Sequence, residues 1–509
     1  MRFKRNINAF MPMFIMSNDR HKVINRERKR MIEQQAPQLL WQHFAKMSEI
    51  PRASKKEEAI RAFYRDYATS KGLEFKEDAI GNIVIKKPAT KGYENSPKII
   101  LQGHVDMVCQ KRDASNHNFD TDPIALQIKG EWLHATDTTL GADNGIGVAA
   151  SIAILEDETA EHGPLEILLT VDEEQGMGGV HNIQPNWLEG EYLLNLDSEK
   201  EGVCTVGCAG GTDLVLAKEL HYDNEARGIF YEVAVEGLKG GHSGIDIHKE
   251  LGNASQLLAE TLANYAHSSA LRLATFHGGT LRNAIPRSAK AVVAIHEAHK
   301  AEFEAHLVAA GTALKTRLKN ADDHVVVSFK LVDAQPTQDA ESSQQCLNLL
   351  LLAPCGVIRK SVELPIVETS CNLGVVTVDE KTGLRIELLA RSVTNGGLDI
   401  IRTRTKALAI MVGAFVEEGN TYPAWQPNLE SVPFKKLLEA YQETTGEEMV
   451  VSVIHAGLET GLLGEKYPHL QMVSFGPTIK GAHSPDERAH IPSVTRFYDL
   501  LKLLLRKLK

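Results

Sequence analysis

Long apolar runs are missing from this chain. No stretch approaches the roughly 20 residues that a helix needs to cross a bilayer, so a membrane-spanning protein is not expected. Cysteine is scarce as well. The six thiols, Cys109, Cys204, Cys208, Cys346, Cys355 and Cys371, are scattered through 509 residues without a paired CxxC spacing. That usage fits a reducing compartment in which thiols pack as small apolar groups, and Cys204 with Cys208 could supply at most half of a zinc site. A chain of this length suits two or three domains, each with a core that needs no disulfide staples. There is no low-complexity tract and no short-period repeat, which excludes solenoids and fibrous arrays.

Positive charge is in short supply beyond the start of the chain. The net charge is −10, yet residues 1–30 hold nine Lys/Arg against Asp19 and Glu27, so the remainder stands at −17. An acidic body of that kind is no partner for nucleic acid. The basic start contains a short apolar stretch, Ala9–Met16, broken by Pro12. It lacks the long apolar segment and the small-residue cleavage site of a signal peptide. Residues 1–35 therefore read as a basic extension without fixed structure, with Met13, Met16 and Met31 as alternative initiators. A soluble cytoplasmic protein is expected.

Regular structure should begin near Ala36, where Leu39, Leu40, Phe44 and Met47 recur at helical spacing. Ser54-Lys-Lys-Glu57 predicts a capping box for a second helix with Ala59, Ile60, Phe63, Tyr64 and Tyr67 on its buried stripe, ended by Gly72. Short apolar runs follow at Asn82–Ile85, Lys98–Gln102, Glu166–Val171 and Tyr192–Leu196, with a glycine-rich helix at Gly145–Leu155. Strands alternating with helices predict an α/β fold, a mixed sheet flanked by helices. Near Gly210-Gly211 the texture changes to alternating strands at Ile229–Val235, Ala291–Ile295, Val325–Phe329 and Leu384–Leu389, with a helix at Asn253–His267. This reads as an inserted α+β domain, 211–424, closed by the turn-rich Tyr422–Pro427. The first domain is then discontinuous, 36–210 and 425–509, resuming through Val450–Ile454 and Gln471–Phe475.

The apolar runs share one property: each of three ends in ionisable residues. His104 and Asp106 follow one, Asp172, Glu173 and Glu174 another, Asp197 and Glu199 a third. Sites in open α/β sheets collect at the carboxyl ends of strands. Two further fragments carry the same residue types in glycine-rich turns, Thr139-Leu-Gly-Ala-Asp143-Asn144-Gly145 and Gly481-Ala-His483-Ser-Pro-Asp486. Singly, a histidine at a strand end is more often a hydrogen-bonded structural residue, and adjacent glutamates are more often solvated surface. The joint occurrence points to chemistry. Gly145-Ile-Gly147-Val-Ala-Ala150 also satisfies a dinucleotide fingerprint, but it follows a polar loop rather than a strand, and a nucleotide site there is set aside.

In this order the five fragments resemble the M20 (aminoacylase/carboxypeptidase) metallopeptidases, and within them most closely the aminoacyl-histidine (Xaa-His) dipeptidases, from about Pro37 to the C-terminus. Gly207-Cys-Ala-Gly-Gly211, Gly237-Leu-Lys-Gly-Gly-His242-Ser-Gly244, Gly278-Gly-Thr-Leu-Arg-Asn283-Ala-Ile-Pro286, Val453-Ile-His-Ala-Gly-Leu-Glu459 and Ser484-Pro-Asp-Glu487 carry the nearer likeness. The resemblance implies two divalent metal ions, zinc or else manganese or cobalt, held by His104, Asp143, Glu174, Asp197 and His483. Asp143 is the implied bridge, and its peptide bond to Asn144 the implied cis link. Two cations a few ångströms apart need such an anionic bridge, and imidazole with carboxylate suits these metals. By the same resemblance Asp106 orients His104 and Glu173 is the general base. His242, from the inserted lid, stabilises the oxyanion, while Asn283, Arg391 and Glu459 bind substrate, Arg391 gripping a free carboxylate. The implied activity is hydrolysis of dipeptides, Xaa-His and other short unblocked peptides. A deacylase or carboxypeptidase of the same family, and a non-catalytic peptide-binding protein, are the alternatives. The large lid either pairs with a second subunit in a homodimer or replaces one.

Overall fold

The structure, a computed structural model, describes residues 30–223, 227–362 and 364–509. The basic segment 1–29 lies outside the described residues. Arg30–Glu33 form a helical turn with Ile32 buried, ahead of the start expected near Ala36. The chain divides into two compact units: Met1–Val206, Asn428–Ser452 and Lys466–Lys509 make one, Gly207–Pro427 and Val453–Glu465 the other. Val453–Glu465 falls in the second unit because its backbone is tied there. The Ala209 amide donates to the Ile454 carbonyl at 2.9 Å, and a Cβ on Gly461 would stand 2.7 Å from the Pro423 carbonyl oxygen.

The first unit is built on an eight-stranded mixed sheet. Its order is Glu74–Glu77, Ile83–Lys87, Leu165–Thr170, Ile99–His104, Tyr192–Asn195, Gln471–Ser474, Val203–Cys208 and Val450–Ile454. The four strands from Leu165–Thr170 to Gln471–Ser474 run parallel. In the first three of these every residue is buried, as expected of parallel strands covered on both faces. That is why they read as continuous apolar runs instead of alternating ones.

Helices Gln38–Met47 and Ala142–Glu156 pack together, and the second also packs on Ile99–His104. Ala142–Glu156 is buried almost all round, so it carries no polar stripe. The glycines of the rejected nucleotide fingerprint serve packing here: a Cβ on Gly147 would stand 2.4 Å from the carbonyl oxygen of Leu196. A small antiparallel sheet, Ile479–Lys480, Arg488–His490, Trp132–Ala135 and Leu126–Lys129, carries the loop with His483.

One local expectation is corrected. Helix Glu58–Ser70 forms, with Ile60, Tyr64 and Tyr67 buried, Phe63 half-buried and Ala59 exposed against expectation, and no side chain caps it. The Ser54 hydroxyl donates instead to Asp106 Oδ2 at 2.8 Å, and Glu57 Oε1 accepts from the amides of Lys55 and Asp172 at 2.9 and 3.0 Å. The pattern was a signal for tertiary bonds, which outcompeted the helix start for the same two side chains.

The second unit is an antiparallel sheet in the order Val326–Val332, Ile229–Glu236, Ala289–Ile295, Leu271–Gly278, Val367–Asp379, Gly383–Ser392, Gly210–Lys218 and Phe415–Tyr422, with Gly356–Lys360 paired to Val367–Asp379. Helices Ala254–Ala266, Ala340–Leu352 and Asn395–Val412 pack on it over one continuous apolar core. Asn253 caps the first of these, accepting from the amides of Ser255 and Gln256. Among the described residues no helix is long and apolar enough to cross a membrane.

Candidate metal centre

Three parallel strands deliver their successors to one place. His104 is the last residue of Ile99–His104 and is 1% exposed. Glu173 and Glu174 follow Leu165–Thr170, and Asp197 follows Tyr192–Asn195. Asp143 enters at the first turn of Ala142–Glu156 with the extended angles φ −80°, ψ 114°, and its peptide bond to Asn144 is cis. His483 comes from the loop between Ile479–Lys480 and Arg488–His490.

The five expected ligands form two interlocked groups with Asp143 common to both. His104, Asp143 and Asp197 offer ligand atoms within 4.8 Å of one another, and so do Asp143, Glu174 and His483. His104 Nε2 lies 3.1 Å from Asp143 Oδ1 and 3.5 Å from Asp197 Oδ1. His483 Nε2 lies 3.2 Å from Asp143 Oδ2 and 3.0 Å from Glu174 Oε2. Glu173 makes a further group with His104 and Glu174, so position alone allows it either a ligand's or a base's part.

Behind these, Asp106 is fully buried and faces His104 Nδ1 at 3.3 Å. Its two oxygens accept from the Glu173 amide at 3.2 Å and the Glu174 amide at 3.3 Å. Asp106 therefore meets the imidazole through its backbone carbonyl, 3.2 Å from Nδ1, and through its carboxylate, which also holds the backbone of both glutamates.

The donor set fits a pair of divalent cations. Carboxylate oxygens and imidazole nitrogens converge here; Glu174 Oε1 is buried without a hydrogen-bond donor, and Asp197 Oδ1, also buried, has only His104 Nε2 at 3.5 Å near it. A buried carboxylate oxygen with no donor is costly unless a cation faces it. The protonation balance expresses the same demand. Desolvation and the charge of Asp143 raise Asp197, and desolvation with the charges of Asp143 and Asp197 raises Glu199. Burial alone would lower His104, but Asp197, Asp106 and Asp143 hold it well above the usual imidazole range. Hydrogen bonds to Asp143 and Glu174 push His483 up to about 11. The carboxylates are recruiting positive charge from the imidazoles beside them.

Three supporting residues escaped the reading of the sequence as parts of the site: Arg52, Glu57 and Glu487. Arg52, 2% exposed, donates to the carbonyls of Val105, Asp106 and Gly141 at 3.0, 2.9 and 2.6 Å. It thereby ties the His104 turn to the Asp143 turn. A lone Arg before a capping-like motif gives no signal of this in one sequence. Gly141 takes φ +70°, and a Cβ there would stand 2.3 Å from Arg52 Nη2. We expect Gly141→Ala to destabilise the protein by about 1–3 kcal/mol, read as a lower denaturant midpoint. A midpoint equal to that of the wild type would refute this account of the turn.

The remaining expected residues gather in the second unit. His242 pairs with Ala284 in a two-residue bridge. Its Nδ1 accepts from the amides of Gly244 at 3.2 Å and Ile245 at 3.0 Å, so the neutral ring carries its proton on Nε2 and presents a donor there. Burial and the charge of Arg391 lower its pKa, favouring that neutral form. Asn283 is exposed, and its carbonyl accepts from the Ser243 amide. Arg391, 5% exposed, donates from Nη1 to the Tyr422 hydroxyl at 2.7 Å. Glu459 opens the helix Glu459–Lys466 and is 2% exposed. His455, quoted in the sequence only as part of a motif, sits 2.8 Å from Ser370 Oγ, and burial with the charges of Arg391 and His242 pushes it down to about 3.

Comparison with known proteins gives concordant results. Residues 100–507 match Peptidase family M20/M25/M40. The chain is 44% identical over 483 residues to the cytosol non-specific dipeptidase of Escherichia coli K12, covering 94% of this chain and 99% of that protein. The crystal structure of an aminoacylhistidine dipeptidase from Vibrio alginolyticus superposes with a TM-score of 0.88 at 41% identity, covering 93% of this chain and 97% of that one. An aminopeptidase PepT from Bacillus cereus shares the fold alone, with a TM-score of 0.53 at 15% identity over 93% of this chain and 99% of that one.

Proposed function

The chain belongs to peptidase family M20/M25/M40, and from that premise we propose that it is a dinuclear metallo-dipeptidase, hydrolysing Xaa-His dipeptides and other short unblocked dipeptides. The observation that carries this reading is the shared Asp143, common to a His104/Asp197 group and a Glu174/His483 group. The names of the two relatives at more than 40% identity support dipeptides as the substrates.

His104, Asp143, Glu174, Asp197 and His483 would hold two divalent cations, zinc first among the metals suited to these ligands, which when bound would supply Lewis acidity to the site. Glu173 accepts the proton of the attacking water and returns it to the leaving amine. Asp106 keeps the His104 ring in one tautomer and orientation. His242, in the role the family resemblance implies, offers its Nε2 proton to the developing oxyanion. Arg391 receives the substrate carboxylate, Asn283 contacts the substrate, and Glu459 receives its amino terminus.

Purified protein should hydrolyse dipeptides in preference to an N-acyl amino acid and a longer peptide, lose activity on chelation and regain it with zinc, manganese or cobalt. Preference for the N-acyl substrate would move the protein to the deacylases, and hydrolysis of none would leave a binding protein. His242→Ala should lower turnover by about a hundredfold with metal content unchanged. Unaltered kinetics in that variant would remove His242 from the chemistry.

A further inference from the structure

Glu487 is 2% exposed and its carboxylate accepts four hydrogen bonds beside the candidate centre. Its Oε2 accepts from the amides of Leu140 at 2.7 Å and Gly141 at 2.9 Å. Its Oε1 accepts from those of Ala142 at 2.7 Å and Asp143 at 3.3 Å. Four consecutive backbone donors thus occupy both oxygens, which leaves Glu487 as a support for ligands and not as a ligand itself. It stands four residues after His483, at the end of the loop that the pairs Ile479↔Ala489 and Lys480↔Arg488 close.

The two sides of the Asp143 turn are therefore gripped by different charges. Glu487 holds the N–H side, and Arg52 holds the carbonyl side through Gly141 while also reaching the Val105 and Asp106 carbonyls within the His104–Asp106 turn. Asp143 and His483 come from positions 340 residues apart, and Glu487 is covalently next to one and hydrogen-bonded to the backbone of the other. Carboxylates crowded as Asp143, Glu174 and Asp197 are here repel one another. Fixing the backbone of the turn that carries one of them opposes that repulsion.

We propose that Glu487 is a positioning residue that, with Arg52, locks the Asp143 turn to the His483 loop before any cation arrives, so that metal binding does not have to order the loop. The proposal rests on the dinuclear reading above. Its energetic logic is preorganisation: ordering done by the fold is not subtracted from ligand affinity.

The test uses the full-length protein stripped by chelation and titrated with Co2+, followed by the visible absorption of the bound ion. Glu487→Gln removes the charge and turns an NH2 toward donors; Glu487→Asp keeps the charge but loses reach. Both variants should bind Co2+ at least about tenfold more weakly. Turnover should return at saturating Co2+, with KM for the dipeptide within about twofold of the wild type. In the stripped wild type, the amides of Leu140–Asp143 should exchange with deuterium at least about a hundredfold more slowly than a free chain.

Wild-type affinity in Glu487→Asp with loss confined to Glu487→Gln would make the effect one of charge and overturn the proposal, as would wild-type affinity in both. Exchange of Leu140–Asp143 at free-chain rates overturns it even if neither variant folds. Failure of the wild type to take up Co2+ at all would instead sink the dinuclear reading, while the exchange result still reports on the clamp.

Discussion

Glu173→Ala should reduce turnover by about a hundredfold or more while the bound metal remains at the wild-type level. The backbone on either side of the relevant bond is fixed, since Asp106 accepts from the amides of both Glu173 and Glu174. With the main chain pinned, the two side chains take separate tasks. Glu174 Oε2 meets His483 at 3.0 Å, which gives it a ligand's place. Glu173 lies in a group with His104 and Glu174, which is the place the proposed general base requires. An isosteric Glu173→Gln should behave as the alanine variant does, because the missing property is basicity and not volume. KM should change little. Elemental analysis decides between the two parts the position allows. Metal lost in proportion to activity would make Glu173 a ligand, and turnover close to the wild type would leave it with neither role.

Much of this site could be read from residues alone because its logic is local. A strand buried on both faces reads as an apolar run, and the residues just after such a run lie at the sheet's carboxyl edge. His104, Glu173, Glu174 and Asp197 were all found that way, and the structure brings them together with Asp143 and His483. The supports were not found, for a physical reason: their bonds join distant segments through the backbone. Arg52 reaches carbonyls 53 to 89 residues away, and Glu487 reaches amides more than 340 away. Backbone groups carry no side-chain identity, so no spacing rule marks their partners. Ser54 and Glu57 show the opposite hazard. Their spacing satisfied a local helix-capping rule, while the fold used the same oxygens to hold Asp106 and the Asp172 amide.

Asp143→Ala should have the widest consequences, because it removes a partner from both groups at once. The expected protein is folded, holds at most one equivalent of metal, and is slower by a factor on the order of a thousand or more, as the loss of several kcal/mol of charge stabilisation requires. A pH signature accompanies this. In wild-type protein stripped of cations, His483 is raised to about 11, chiefly by its hydrogen bonds to Asp143 and Glu174, and His104 is raised too, burial opposing and Asp197, Asp106 and Asp143 prevailing. A pKa raised on folding contributes stability that is complete below the unfolded value of about 6.5 and fades as pH climbs through the folded one. The stripped wild type should therefore lose thermal stability as pH rises from about 6.5, and Asp143→Ala should flatten that slope. Cation binding must displace the same protons, so the wild type's metal affinity should rise with pH over this range. Two full equivalents of metal in Asp143→Ala, with stability and affinity following wild-type pH curves, would show that the two groups do not share this carboxylate.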